Sequence, residues 1–551
     1  MTNSLIMHVE TLLVKAMAIG LIEQRDLIYF RNHYAQLFDY ELTNNTILNQ
    51  IHHTGALSSS SPTNYRLRHL SPTSISNQFE YTQTNPKLAQ LNLADIASQI
   101  YLALDGNQIA SLGNTQEQIE TRIIDELMPR PSTIESKFRQ IEQTQGIEAA
   151  LDWYYLLSQN TNYIKTADIA KNQSWSSETE YGNLEITINL SKPEKDPLEI
   201  AKLKAQQNKT NNSYPQCLLC IENEGYNGGL NKPARQNHRM LQLNLDNNAW
   251  YFQYSPYLYY PEHSIVINPQ HQDMQINQQA LKNMFSFVEQ IPHYLIGSNS
   301  DIPIVGGSIL NHDHYQAGNY VFPLEKTAVR FSHSLAKFSK VTLNYLNWPL
   351  STLQLIASKS DLLQLAELVI QKWYSYNNSE LGIISASEQG VRHNAITPIL
   401  RKLSGSDDSY CLYLILRNNR TTNEHPEGIF HPHRELHHIK KENIGLIEAM
   451  GLAILPGRLA TELKELEQLL LLNDVDSAVT SLLFDDTLIK HEEWLKALYI
   501  KYPLFSQNNV QQILQIEVAL KFCQTLENCG VFKPCSSGDS GLREFLSSLD
   551  S

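Results

Sequence analysis

From the N-terminus to about residue 170, apolar side chains recur three and four positions apart, the spacing that lines one face of an α-helix. The opening stretch, MTNSLIMHVETLLVKAMAIGLI, carries His8, Glu10 and Lys15 and has neither a basic leader nor a small-residue cleavage site. It predicts a packed helix rather than a signal peptide. Ser132-Thr133-Ile134-Glu135, after Pro131, has the form of a capping box and predicts a helix start leading into GIEAALDWYYLLSQN. Near residue 183 the period changes to two. NLEITINL alternates Leu184, Ile186, Ile188 and Leu190 with polar neighbours, as a half-buried strand does. Further strands are predicted at RMLQLNL, AWYFQYSP and HSIVINP, then a helix at QQALKNMFSFVEQIPHYL, then strands at IPIVGG and YQAGNYVFP.

A second strand-and-helix stretch holds a helix at LLQLAELVIQKWYSY and a hairpin-like pair, ITPILRKL and YCLYLILRN, joined by SGSDDS. After Pro456 the pattern returns to helix. The predicted organisation is a helical region over 1–170, α+β segments over 171–325 and 326–458, and a second helical region over 459–551.

Composition narrows the function classes. The hydrophobic fraction of 42% and charged fraction of 18% fit an ordinary globular protein with ample core. A net charge of −14 argues against a general nucleic-acid binder, which needs a basic surface. The run Ile444 to Leu455 is too short to span a bilayer. Six cysteines in 551 residues do not make a disulfide framework, which points to the reducing cytoplasm.

Candidate chemistry concentrates in a few stretches. In SILNHDHYQAG, strand geometry would put His312, His314 and Gln316 on one face, two imidazoles and an amide converging on the same space. Cys217-Leu218-Leu219-Cys220 reads either as two small buried hydrophobes at a turn or as half of a zinc site. For zinc, His263 and His312 are the candidates to complete the set. LNKPARQNHR gathers Arg235, Asn237, His238 and Arg239, which suit phosphate, base or ribose, or else a solvated loop. SNSDIPIVGG ends in two glycines that would let backbone amides approach an anion. HPEGIFHPHRELHHIKK holds five histidines, either a surface patch or a second metal or phosphate site.

Five phrases together resemble galactose-1-phosphate uridylyltransferase, in its second bacterial type: TEYGNLEITINLSKPEKDP, CLLCIENEGYNGGLNKPARQNHR, QYSPYLYYPEHSIVI, PHYLIGSNSDIPIVGGSILNHDHYQAG and GIFHPHRELHHIKKENIGLIEAMGLAILPGRL. The first type of that family carries His-Pro-His-x-Gln where this chain has His312-Asp313-His314-Tyr315-Gln316. The resemblance implies an α+β fold of two histidine-triad-like halves, antiparallel sheets with packed helices, flanked by the helical regions. It implies His314 as covalent nucleophile, Gln316 as phosphoryl-oxygen donor, and Cys217, Cys220, His263 and His312 as ligands of a structural zinc. Asn237, Arg239, Asn299 and Ser308 lie on segments flanking the nucleophile and are expected to bind the uridylyl group. The implied reaction converts UDP-glucose and galactose 1-phosphate into glucose 1-phosphate and UDP-galactose by a ping-pong route. It involves no nucleic acid and no membrane, and a homodimer is expected. The rival readings are another transferase of the superfamily, such as a dinucleoside polyphosphate phosphorylase, and a non-catalytic zinc-stabilised binding module.

Overall fold

Stripes of Leu, Ile and Ala hold the helical part together. The computed structural model describes residues 2–42, 92–191, 214–229, 232–307, 309–405 and 408–550. A first unit comprises Met1–Thr166 and Lys202–Leu241. In it, the helix Thr2–Ala18 turns Val9, Leu12, Leu13 and Ala16 inward against Ile96 and Ile100 of Leu93–Ala103 and Ile119 and Ile123 of Gln116–Asp125. Burial of such a stripe, rather than intrinsic propensity, is what stabilises helices of this length.

The helix expected to start with a cap at Ser132 begins earlier. Pro131 occupies its first turn and Arg130 precedes it, so Ser132 is already helical in Pro131–Gln145. Proline's fixed φ and missing N–H suit that position, and this outweighs a serine cap one residue on. Gly146, at φ +96°, then separates a second helix, Ile147–Asn160.

The second unit, Ala167–Ala201 with Gln242–Ser551, contains the sheets. Its strands begin with the hairpin β1 (Gln173–Thr179) and β2 (Gly182–Asn189). A first series follows: β3 (Leu241–Leu245), β4 (Asn248–Tyr254), β5 (Ser264–Ile267), β6 (Leu295–Gly297) and β7 (His314–Gly318). A second series is β8 (Val329–His333), β9 (Thr342–Leu346), β10 (Thr352–Ala357), β11 (Asn394–Lys402) and β12 (Tyr410–Asn418). The last strand is β13 (Leu452–Pro456).

Ten of these strands form one sheet in the order β3-β4-β5-β7-β6-β11-β12-β10-β9-β8. Counted within each series, both orders run first, second, third, fifth, fourth. In both, a long helix connects the third strand to the fourth: Gln278–Gln290 in one, Lys359–Ser375 in the other. These are the two α+β halves that the resemblance implied. They are not separate sheets, because β6 pairs antiparallel with β11, Gly297 opposite Ile399. A further difference is that β1 and β2, expected in the first half, join β13 in a three-stranded sheet, with β13 parallel to β2.

Alternation assigns the two faces of the large sheet. Val266, Tyr315, Ile296 and Leu400 share the face that meets the two long helices, where Asn283 Nδ2 donates to the Tyr315 hydroxyl at 3.1 Å. The other face presents Leu295, Ile399, Tyr413 and Ile415 to a core completed by Leu459, Leu466, Leu495, Val518 and Phe522 of the C-terminal helices.

The strand predicted at IPIVGG is not one. Residues 302–306 form a bent loop in which Ile304 takes φ +75°, and a Cβ at Gly306 would collide with the Ser300 carbonyl oxygen. Its isoleucines and valine are apolar because Ile302 and Val305 pack on Ala395, not because they belong to a ladder.

Candidate active site

β7 opens on His314. Across its ladder with β5, His314 faces Ile267 and Gln316 faces Ile265, so the two side chains share the face turned away from the long helices. On its other flank Gln316 lies opposite Gly297 of β6. A Cβ at 297 would come within 3.0 Å of Leu446 and of the Pro398 carbonyl, so glycine keeps this part of β6 close-packed.

His314 Nδ1 lies 2.7 Å from the carbonyl oxygen of His312. A carbonyl can only accept, so the ring proton sits on Nδ1 and the lone pair on Nε2. Burial pushes the His314 imidazole down to about 4, outweighing the bond to the His312 backbone, so the ring is neutral at pH 7. A neutral imidazole with a fixed tautomer is a competent nucleophile at Nε2.

His312 stands outside β7 itself. It precedes β7 in a segment whose backbone pairs with the turn after β5: Asn268 N–H donates to the Asp313 carbonyl at 3.0 Å, and Asp313 N–H to the Gln272 carbonyl at 2.7 Å. The His312 ring is fully buried, with Nε2 donating to the Asn268 carbonyl at 2.8 Å. Its Nδ1 therefore carries the lone pair, and the bond at Nε2 fixes the ring as metal-bound histidines are usually fixed.

The expected fellow ligand His263 lies elsewhere. The antiparallel register sets Ile267 of β5 opposite His314 but Ser264 opposite Ala317, so His263 is at the end of β5 away from His312. The imidazole that does meet His312 is His271, with ring centroids 4.9 Å apart. Asn-Pro-Gln-His directly after β5 was the available signal for His271. In the first unit, the sulfurs of Cys217 and Cys220 lie 3.6 Å apart. Burial raises the Cys217 thiol to about 11. The described residues thus include His and Cys groups able to hold a metal ion.

The residues expected to grip the uridylyl group are placed as follows. Asn237 is buried and its Nδ2 donates to the Thr161 carbonyl at 2.7 Å. Arg239 is held by its own unit: Nε donates to the Pro129 carbonyl at 2.8 Å, Nη1 to the Gln236 and His238 carbonyls, and Nη2 to Asp125 at 2.9 Å. Four of its donors are thus committed to the protein. Asn299 Oδ1 accepts from Leu446 N–H at 2.8 Å, and its amide abuts Gly307, where a Cβ would lie 2.6 Å from Nδ2. Ser308 lies outside the described residues.

The five histidines between 425 and 438 do not act as one cluster. His425 stacks on His433 at 4.6 Å, and His438 Nδ1 meets His491 Nδ1 at 2.9 Å, with His491 bonded in turn to Glu462. His431 and His437 bring ligand atoms to within 4.8 Å of Glu427.

Among the described residues no helix is long and apolar enough to cross a membrane. A family model described as galactose-1-phosphate uridyl transferase, N-terminal domain, matches residues 71–273, and one described as the C-terminal domain of the same enzyme matches residues 287–481. A galactose-1-phosphate uridylyltransferase of Fusobacterium nucleatum is 45% identical over 435 residues, 78% of this chain and 83% of its own length. Its counterpart in Clostridium acetobutylicum is 44% identical over 448 residues, 81% of this chain and 88% of its own. That of Lactococcus lactis subsp. cremoris is 43% identical over 468 residues, 85% and 91% of the two chains. No solved structure matches the chain. Two matched domains over most of the sequence, and relatives of this identity along nearly their whole length, place the chain in the galactose-1-phosphate uridylyltransferase family of nucleotidyltransferases.

Proposed function

We propose that the protein converts UDP-glucose and galactose 1-phosphate into glucose 1-phosphate and UDP-galactose through a uridylyl group carried on His314, in the cytoplasm and as a homodimer. The observation that carries this reading is the Nδ1 bond of His314 to the His312 carbonyl, which leaves Nε2 as the nucleophilic atom. Nε2 attacks the α-phosphorus of UDP-glucose, the bond from phosphorus to the bridging oxygen breaks, and glucose 1-phosphate leaves. A phosphate oxygen of galactose 1-phosphate then attacks the same phosphorus and the N–P bond breaks. A histidine adduct preserves the transfer potential of the pyrophosphate bond, as an exchange between like bonds requires. UDP-glucose alone is expected to release one glucose 1-phosphate per active site and leave acid-labile UMP on the protein. Release of glucose 1-phosphate only when galactose 1-phosphate is present, with no adduct, would point to direct transfer.

Gln316 supports transfer rather than hydrolysis. A departing sugar phosphate has a second pKa of only about 6, so it needs charge stabilisation more than a delivered proton. Gln316→His is expected to keep the adduct but slow transfer about 100-fold, with hydrolysis of UDP-glucose rising as a proton donor is introduced. Product ratios by chromatography check this.

Zinc is the metal that the donor set fits: two thiols and imidazoles, one oriented by a backbone carbonyl. Cys217 and Cys220 would supply its thiolate ligands, and His312 and its neighbour His271, in place of His263, are the imidazole candidates. A metal held by such side chains would be structural. Cys217→Ser is expected to lose stoichiometric zinc by elemental analysis and to melt at a lower temperature. Active wild-type protein without zinc would end this part of the reading.

A further inference from the structure

We propose that His263 is a positioning residue for Gln316: a ring N–H of His263 donates to Gln316 Oε1 and so turns the amide NH₂ toward the phosphoryl oxygens at His314. This deepens the uridylyl-transfer reading and rests on it.

The register supplies the placement. His263 directly precedes β5, in which Ile265 lies opposite Gln316, so its ring is the diagonal neighbour of Gln316 on the same sheet face. Its backbone is tied down on both sides, N–H to the Tyr260 carbonyl at 3.2 Å and carbonyl from Ser255 N–H at 2.8 Å. Its ring packs on Tyr260 at 4.6 Å and Tyr259 at 5.5 Å between centroids. The residue is only 3% exposed.

The polar atoms supply the argument. Among the described residues, neither ring nitrogen of His263 meets a hydrogen-bond partner in good geometry, and Gln316 Oε1 meets none either. Buried donors and acceptors are almost always paired, and here an orphan donor and an orphan acceptor are neighbours. The ring is pushed down to about 4 by burial, and the Gln316 side chain opposes that shift. A neutral imidazole carries one N–H in either tautomer, so it remains able to donate.

An amide has two nearly isosteric orientations, and only one of them serves the reaction. With Oε1 taken by His263, the NH₂ end points away from the ring and can donate to phosphoryl oxygen. With the amide reversed, a carbonyl oxygen would confront an anionic group. His263 selects between these states without touching substrate.

His263→Phe keeps the ring packed on the two tyrosines and removes the N–H. It is expected to lower kcat about 100-fold, the cost of a misdirected catalytic group, with KM within about twofold and the melting temperature unchanged. His263→Gln, which restores a donor, should recover about tenfold of that loss. In a Gln316→Ala background, His263→Phe should cost nothing further, because the two act as one unit. An unchanged kcat in His263→Phe, or losses that multiply in the double variant, overturns the proposal. A crystal structure of the wild-type protein decides it independently of activity. Gln316 Oε1 within about 3.2 Å of a His263 nitrogen supports the proposal, and a separation beyond about 3.5 Å overturns it. Wild-type protein that forms no uridylyl adduct would instead overturn the transfer reading, leaving the crystallographic outcome to judge His263.

Discussion

His314→Gly is expected to abolish the uridylyl adduct and to lower UDP-galactose formation by more than about 10⁴-fold, the scale seen when a covalent nucleophile is removed. The fold should survive, because Gly318 closes the same short strand and the ladder bonds of β7 are made by backbone groups. The deletion leaves an imidazole-sized space where a buried ring stood. Free imidazole added to the variant is expected to occupy it and restore part of the turnover, giving uridylyl-imidazole as a separable product. Single-turnover experiments with UDP-glucose labelled in the uridine measure both effects. An adduct at the wild-type rate in His314→Gly would move the nucleophile elsewhere, and His431 and His437 would be the next residues to test.

Arg239→Ala is expected to act on stability rather than on substrate. The guanidinium gathers three carbonyls and the Asp125 carboxylate, and the Tyr154 hydroxyl donates to the Arg239 carbonyl. Removing it strands those buried acceptors and leaves Asp125, already raised by burial, without its cation. The expected loss is about 3 kcal/mol of unfolding free energy. KM for UDP-glucose should stay within about twofold in the folded fraction. Arg239→Lys should recover little, since an ammonium cannot reach four acceptors arranged around a planar fork. Denaturant titration and steady-state kinetics on the same samples separate the two roles. Unchanged stability with a tenfold higher KM would make Arg239 a substrate ligand after all.

These cases show what a sequence makes legible. Period-two alternation located β2, as one buried face requires, whereas β11 and β12 are buried nearly throughout and were marked instead by their apolar, β-rich runs on either side of a polar loop. That His314 and Gln316 share a face was legible from their spacing, since residues two apart on a strand lie on one side. The pairing of the Asp313 backbone with the turn after β5 was not legible, because no local periodicity encodes such a contact. That turn also brought His271, not His263, to His312. Arg239 shows a different limit. A cationic cluster looks the same in sequence whether it awaits a phosphate or is consumed by its own chain's carbonyls. IPIVGG misled because apolar loop residues pack as strand residues do, and the left-handed Ile304 leaves no trace in composition.

The join between β6 and β11 has an evolutionary consequence. Two copies of one five-stranded unit, paired edge to edge, would ordinarily be a symmetric dimer, with identical chemistry on both sides of the axis. Tethering the copies makes their association intramolecular, so it no longer depends on protein concentration. It also frees each copy to drift. The fifth strand of the first series opens on His314, whereas the fifth strand of the second opens on Tyr410, and their third-strand partners are Ile267 and Ala357. Where a dimer of identical halves would carry the residues of the His314 face twice, this chain carries them once, and its other half is not bound to repeat them.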